Sequence, residues 1–148
     1  MSISSSVSYE TTLLVRDHCL CLHTQRAARA LARRFDEAMR PAGLKSGQFS
    51  LLIALNRPEP PSMGSVAALL AMDRTTLTAN LKPLERRGLL TVIVDEADRR
   101  MRRLKLTKAG QTALETAVPI WEHTHAILEN ELEPQAAVSL RSNLLALA

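Results

Sequence analysis

The stretch TVIVDEADRRMRRLKLT, residues 91–107, sets two short apolar runs around a tip crowded with charge. Thr91, Val92, Ile93 and Val94 are β-branched throughout, while Arg103, Leu104, Lys105 and Leu106 alternate polar with apolar. That pattern predicts two strands joined by a connection over 95–101. Around the connection stand Arg99, Arg100, Arg102, Arg103 and Lys105, with Asp95, Glu96 and Asp98 just before them. A hairpin with a purely structural role could use any soluble charge mixture. One that reaches toward a polyanion would look like this.

Working back from the hairpin, Asp73 is placed to cap a helix whose apolar face is Leu77, Leu81 and Leu84, with Gly88 as its C′ residue. Pro83 falls inside it and predicts a bend, leaving 74–82 as the straight part. A shorter helix is expected from Ser62 to Ala71, burying Val66, Leu69 and Leu70. Before it, Ser46 reads as the N-cap of a helix with Phe49, Leu52, Ile53 and Asn56 on one face, ended by the stiff run 57–61. Farther back, Leu13 to Met39 reads as one long helix, apolar on two faces and so buried on two sides, stopped by Pro41-Ala42-Gly43.

Working forward, Thr107 is placed to cap a helix with Leu106, Ala109, Ala113 and Ala117 on its core face. Pro119 should kink it or start a new segment. Pro134 opens a last helix expected to bury Val138, Leu140, Leu144, Leu145 and Leu147.

Apolar residues are 46% of the 148-residue chain, too many for a disordered tail, and aromatics are only 3%, which leans toward a mainly α protein with a Leu, Ala, Val and Met core. The net charge of +4 is unevenly spread. Residues 74–108 hold ten Lys or Arg against four Asp or Glu, whereas 109–148 hold one against five. The cations therefore collect on the hairpin and the helix before it, as an electrostatic footprint for nucleic acid would. The first residues, MSISSSVSYETT, lack the apolar core of a signal peptide, and no run reaches membrane-spanning length; a cytoplasmic protein with no membrane partner is expected. Cys19 and Cys21, two apart on a helix, would diverge rather than bridge.

A helix, a tight turn at Met72, a second helix and a basic two-stranded hairpin make a winged helix-turn-helix. Away from Leu77, Leu81 and Leu84 face Arg74, Thr75, Thr78, Ala79 and Lys82. Arg can read guanine in bidentate fashion, Thr can bond a base or touch a thymine methyl, and Ala permits close approach. Thr76, Lys82 and Arg86 suit phosphates, which position without specifying.

The run SMGSVAALLAMDRTTLTANLKPLERRGLLTVIVDEADRRMRRLKLTKAG resembles the core of MarR-type transcriptional regulators. The resemblance is carried by Asp73-Arg74-Thr75-Thr76, by Leu84-Glu85-Arg86-Arg87-Gly88-Leu89, by Asp98-x-Arg100 in the wing and by Leu106-Thr107-x-x-Gly110. It implies a homodimeric regulator, expected to repress, on a pseudo-palindromic double-stranded operator. It also implies three regions: a flexible segment 1–12, a helical dimerisation region 13–45 and 107–148, and a DNA-binding lobe 46–106. Arg100 would be the wing tip entering the minor groove, with Asp98 positioning it; Arg99, Arg102, Arg103 and Lys105 would add charge toward the backbone.

By the same resemblance, binding is expected to respond to a small-molecule effector. Cys21 stands where the organic-hydroperoxide-sensing branch of the family places its reactive thiol, so oxidant control is the alternative. The tyrosines of that branch are replaced by Gln25, Phe35 and Ser46; a small buried hydrophobe is the plain alternative for Cys21. Cys19 with His23, and His18, His123 and His125, give no convergent set of three or four ligands, so no metal or other cofactor is expected. No Ser-His-Asp set, glycine-rich phosphate loop or purposeful carboxylate pair points to an enzyme. A protein-interaction module that reuses the fold would want a neutral or acidic recognition surface, and this one is basic.

Overall fold

A computed structural model describes residues 6–148. In chain order it contains α1 (Tyr9–His18), α2 (Leu20–Ala38), a short 3₁₀ turn (Arg40–Ala42), α3 (Ser46–Leu55), α4 (Met63–Leu69), α5 (Arg74–Arg86), β1 (Leu90–Val94), β2 (Arg102–Leu106), α6 (Lys108–Asn130) and α7 (Ala136–Leu147). The chain is mainly helical, with one two-stranded antiparallel sheet among the described residues. β1 and β2 pair from Leu90↔Leu106 to Val94↔Arg102, leaving 95–101 as the connection.

The core lies where α3, α4, α5 and the base of the hairpin meet the first half of α6. Leu51, Leu52, Val66, Leu77, Leu84, Leu90, Leu104 and Ala117 are buried there, with Met39 arriving from the end of α2. Leu90 and Leu104 sit on one face of the two strands because side chains alternate along a strand, which turns that face inward and the basic tip outward. Gly110 fixes how closely α6 approaches. A Cβ there would stand 2.0 Å from the Leu89 carbonyl oxygen, and that oxygen accepts from Thr107 N at 3.2 Å. The Thr107 hydroxyl also donates to the Gly88 carbonyl at 2.5 Å and accepts from Gly110 N at 3.0 Å. The start of α6 is thus stitched to the end of α5 with no room for a side chain.

Several sequence expectations are corrected. Residues 1–5 of the segment expected to be flexible lie outside the described residues, but α1 begins within it, because Ser8 caps that helix through Thr11 N at 3.3 Å. The single helix expected over Leu13–Met39 is two helices. Cys19, extended at φ −71 and ψ 110, separates them and caps α2 through its thiol, which accepts from Leu22 N at 3.4 Å. No Pro or Gly marks that break, so periodicity carried no sign of it. The two cysteines therefore do not share a helix interior; both are free thiols.

Ser46 is the first residue of α3 rather than its cap, which is Lys45. Two side chains satisfy the orphan donors there: Asp36 accepts from Ser46 N at 2.6 Å and Gln48 from Lys45 N at 3.0 Å. Burial on α3 extends to Leu51, Ala54 and Leu55, while Ile53 is exposed. In α4 Leu69 is exposed too, and Leu70 only packs against the core edge. On α6 Gly110, Leu114 and Ala117 face inward and Ala109 does not.

Neither internal proline interrupts its helix: α5 runs through Pro83 and α6 through Pro119. Each removes one bond, to the carbonyl of Ala79 or Glu115, and both of those residues are exposed, so water can satisfy the freed oxygen. The apolar residues expected to be buried on α7 are open in the single chain, Val138 at 59% and Leu145 at 76% exposure. Leu14, Val15 and Leu20 on α1 and α2 are likewise exposed.

Candidate nucleic-acid interface

α5 is defined at both ends by its sequence. Asp73 accepts from Thr76 N at 2.7 Å and from the Thr76 hydroxyl at 3.0 Å, and those bonds hold its carboxyl below the usual range. At the far end Gly88 takes the left-handed conformation, φ 71, that ends the helix. The turn before α5 is made by Ala71 in a left-handed conformation, φ 51, with Met72 N bonded to the Ala67 carbonyl at 2.9 Å.

With Leu77, Leu81 and Leu84 buried, the remaining positions sort by the ~100° turn per residue. Thr75, Ala79, Lys82 and Arg86 form the row opposite the core. Arg74 and Thr78 lie toward the hairpin, and Thr76, Asn80 and Pro83 lie on the other flank. Arg74, Thr75, Thr76, Thr78, Ala79, Lys82 and Arg86 are all exposed. Two hydroxyls already have acceptors: Thr76 donates to Asp73, and Thr78 donates to the Arg74 carbonyl at 2.8 Å. Their lone pairs remain open to donors, but their protons are engaged. Between the hairpin and α5 runs a groove of about 500 Å³ lined by Met63, Thr78, Lys82, Glu85, Arg86 and Val92.

The tip of the hairpin is organised by Asp95. One of its carboxylate oxygens accepts from Ala97 N at 2.8 Å and Asp98 N at 2.9 Å, and the other pairs with Arg103 Nε. The Arg103 hydrogen bond is the first cause that holds the Asp95 carboxyl below its usual range, followed by the two backbone N–H groups. Arg103 Nη1 donates onward to the Pro60 carbonyl at 2.9 Å, and Leu104 N donates to the Pro61 carbonyl at 2.9 Å. Arg103, expected to add charge toward a backbone, is therefore engaged within the protein. Its role is to tie the hairpin to the proline-rich connector.

Asp98 accepts from the Arg100 backbone N at 3.0 Å, so it acts on the path of the chain at the tip, not on the Arg100 guanidinium. Arg102 Nη1 donates to the Arg99 carbonyl at 2.9 Å. Arg99, Arg100, Arg102 and Lys105 are exposed. The expected residues of α5 and of the hairpin tip are thus exposed, and β1 adjoins α5 through the groove that Val92 shares with Thr78, Lys82 and Arg86. The role of Asp95 was readable, since an Asp two and three residues before bonded N–H groups is an Asx-turn signature. The bond from Asp36 to Ser46 spans ten residues and left no local sign.

Cys21 is exposed, with the Gln25 amide donating to its sulfur at 3.4 Å. No group of three or more His, Cys, Asp or Glu able to hold a metal occurs among the described residues. No described helix is long and apolar enough to cross a membrane.

Comparison with known proteins agrees with this geometry. A family model described as MarR family matches residues 42–101. The transcriptional activatory protein BadR of Rhodopseudomonas palustris is 36% identical over 87 residues, covering 57% of this chain and 50% of BadR, so the match spans about half the length of that relative. Among solved structures, the M. tuberculosis transcriptional regulator MosR in complex with DNA superposes with a TM-score of 0.78 at 36% identity, covering 87% of this chain and 96% of that one. The transcriptional repressor CouR, bound to a 23-mer DNA duplex, gives 0.79 at 27% identity, covering 90% and 94%. CouR from Rhodococcus jostii RHA1 bound to p-coumaroyl-CoA gives 0.75 at 20% identity, covering 88% and 92%.

Proposed function

Since the chain belongs to the MarR family of winged helix-turn-helix transcriptional regulators, we propose that it is a homodimeric regulator, repressing in the first instance, that binds a pseudo-palindromic operator. α5 enters a major groove with Thr75, Ala79, Lys82 and Arg86 foremost, and Arg74 and Thr78 on the hairpin side. Arg100 enters the neighbouring minor groove, with Arg99 and Arg102 toward phosphates and Thr76 and Asp98 shaping the ends of the two reading elements. The observation that carries this reading is the exposed cationic face of α5 beside a hairpin whose base is buried and whose tip is held in shape by Asp95.

In this reading 46–106 is the DNA-binding lobe, and 13–45 with 107–148 forms the dimerisation region. The exposed Leu14, Val15, Leu20, Leu140, Leu144 and Leu145 support the second assignment, because apolar faces of this extent are ordinarily covered by a partner. Relatives solved with DNA and with p-coumaroyl-CoA support a duplex and a small-molecule effector as partners. Nothing in the site favours turnover of a substrate. Thiol control is the weaker reading: the neutral Gln25 amide reaches Cys21, whereas a sensor thiol gains reactivity beside a cation.

The test is a gel-shift series on the intergenic DNA upstream of the gene, repeated with Arg74→Ala and Arg100→Ala. A salt-sensitive complex weakened at least tenfold by either change is expected. Affinity indifferent to both substitutions would sink the assignment.

A further inference from the structure

The hairpin accounts for one flank of α5 only. An α-helix with its side chains is about 10–12 Å across and fills a major groove about 12 Å wide, so both bounding phosphate strands must lie against whatever flanks it. On the flank away from the hairpin, Asn80 and Pro83 of α5 face Lys45, Ser46 and Gln48 at the start of α3, across a groove of about 310 Å³. This groove shares Asp36, Lys45 and Gln48 with a second one of about 690 Å³, which adds Arg33, Arg40 and Arg87.

The acidic groups there are already engaged. Asp36 accepts from Ser46 N at 2.6 Å, and Glu37 pairs with Arg40 at 3.0 Å. Lys45 and Arg87 are exposed; Lys45 lies near enough to Asp36 to help lower its pKa by charge, and Arg87 is in no ion pair among the described residues. Arg87, just past the end of α5, is carried across toward the α2–α3 corner: its Nη2 lies 3.3 Å from where a side chain on Gly43 would begin. Gly43 is left-handed at φ 67, so the corner turns tightly under that guanidinium.

We propose that this α2–α3 corner, with Lys45 and Arg87 as its principal cations, is a second phosphate-binding surface that grips the strand on the side of α5 opposite the hairpin. The inference rests on the reading of α5 as a major-groove helix. Its ligand is duplex backbone, so its contribution is independent of base sequence. Lys45 presents a point charge and Arg87 a fork that can hold two phosphate oxygens, which suits a rim and not a base-reading position.

The experiment compares the full chain with a Lys45→Gln/Arg87→Gln variant on a selected operator and on a random duplex, titrated between about 50 and 200 mM salt. Each lost phosphate contact flattens the plot of log affinity against log salt by about 0.9, so the double variant should lose about 1.8 per protomer. Affinity should fall by the same factor on both duplexes, with the melting temperature unchanged. Should the double variant fold poorly, each single variant is expected to remove about 0.9. An unchanged slope, or a loss confined to the operator, would overturn the inference while leaving the DNA-binding reading intact. A wild-type chain that binds neither duplex would overturn both.

Discussion

The packing of α6 against the end of α5 yields a sharp prediction at Gly110. Adding a methyl group there places carbon 2.0 Å from the Leu89 carbonyl oxygen, with the Leu106 side chain at 3.2 Å. The clashing atom is backbone, so no flexible side chain can swing aside. Either α6 lifts or the Leu89 peptide turns, and the bond from Thr107 N to that oxygen is strained or broken. Overpacking of this kind destabilises by about 1–3 kcal/mol, with the upper end expected for a backbone clash. The impaired hydrogen bond adds about 1 kcal/mol, and the better helix propensity of Ala returns about 1 kcal/mol. The net expectation for Gly110→Ala is a loss of about 2–3 kcal/mol.

Gly47 is the internal control. It also lies in a helix, α3, but a Cβ there meets nothing within 4 Å. Gly47→Ala should stabilise by about 0.5–1 kcal/mol through the unfolded chain. Urea unfolding followed by circular dichroism, at one fixed protein concentration, measures both. If Gly110→Ala proves as stable as wild type, or if the two substitutions shift the midpoint in the same direction, the close approach of α6 is wrong.

The pairing of Asp95 with Arg103 predicts a pH signature. The folded carboxyl titrates below the ordinary 3.8, so its stabilisation is complete above that value and drains away as pH falls through the lower, folded pKa. Asp95→Asn should therefore unfold at lower urea than wild type at pH 7, and the gap should close in buffers more acidic than about pH 4; a gap constant with pH contradicts the ion pair. Asp36→Ala removes the acceptor at the start of α3 and should lower stability by about 1 kcal/mol, read as a smaller urea midpoint with unchanged slope. Pro83→Ala restores a bond to the Ala79 carbonyl in a helix that is already continuous, so a rise in melting temperature worth about 1 kcal/mol or more is expected. A fall would mean that the proline ring, half-buried, is needed for packing.

Much of the lobe was legible because its signals are local. Asp73, Thr107 and Gly88 mark helix ends by chemistry that acts within three residues, and the two strands with their 95–101 connection follow from the β-branched run 91–94 and the alternation in 103–106. What the sequence concealed is long-range or compensated. The cap of α3 comes from Asp36, a residue of the preceding helix. Pro83 predicts a bend in its helix and Pro119 a kink or a new segment, yet both helices run on continuously, each with one bond removed at an exposed carbonyl. Cys19 ends one helix and starts another in a residue type rarely considered a cap. At the candidate interface the exposed cations of α5 follow from the burial of three leucines, whereas the capture of Arg103 by Asp95 and Pro60 depended on how the connector folds back.

That capture joins two parts of the chain that lie far apart in sequence. The connector leaves the end of α3 and is fastened to the second strand by a guanidinium and by a main-chain hydrogen bond, so the two cannot slide independently. Any shift of the end of α3 would therefore carry the connector and the second strand together, as a crane turns its jib. In the proposed dimer, release from DNA would then be a change of span between two arms whose internal structure is kept.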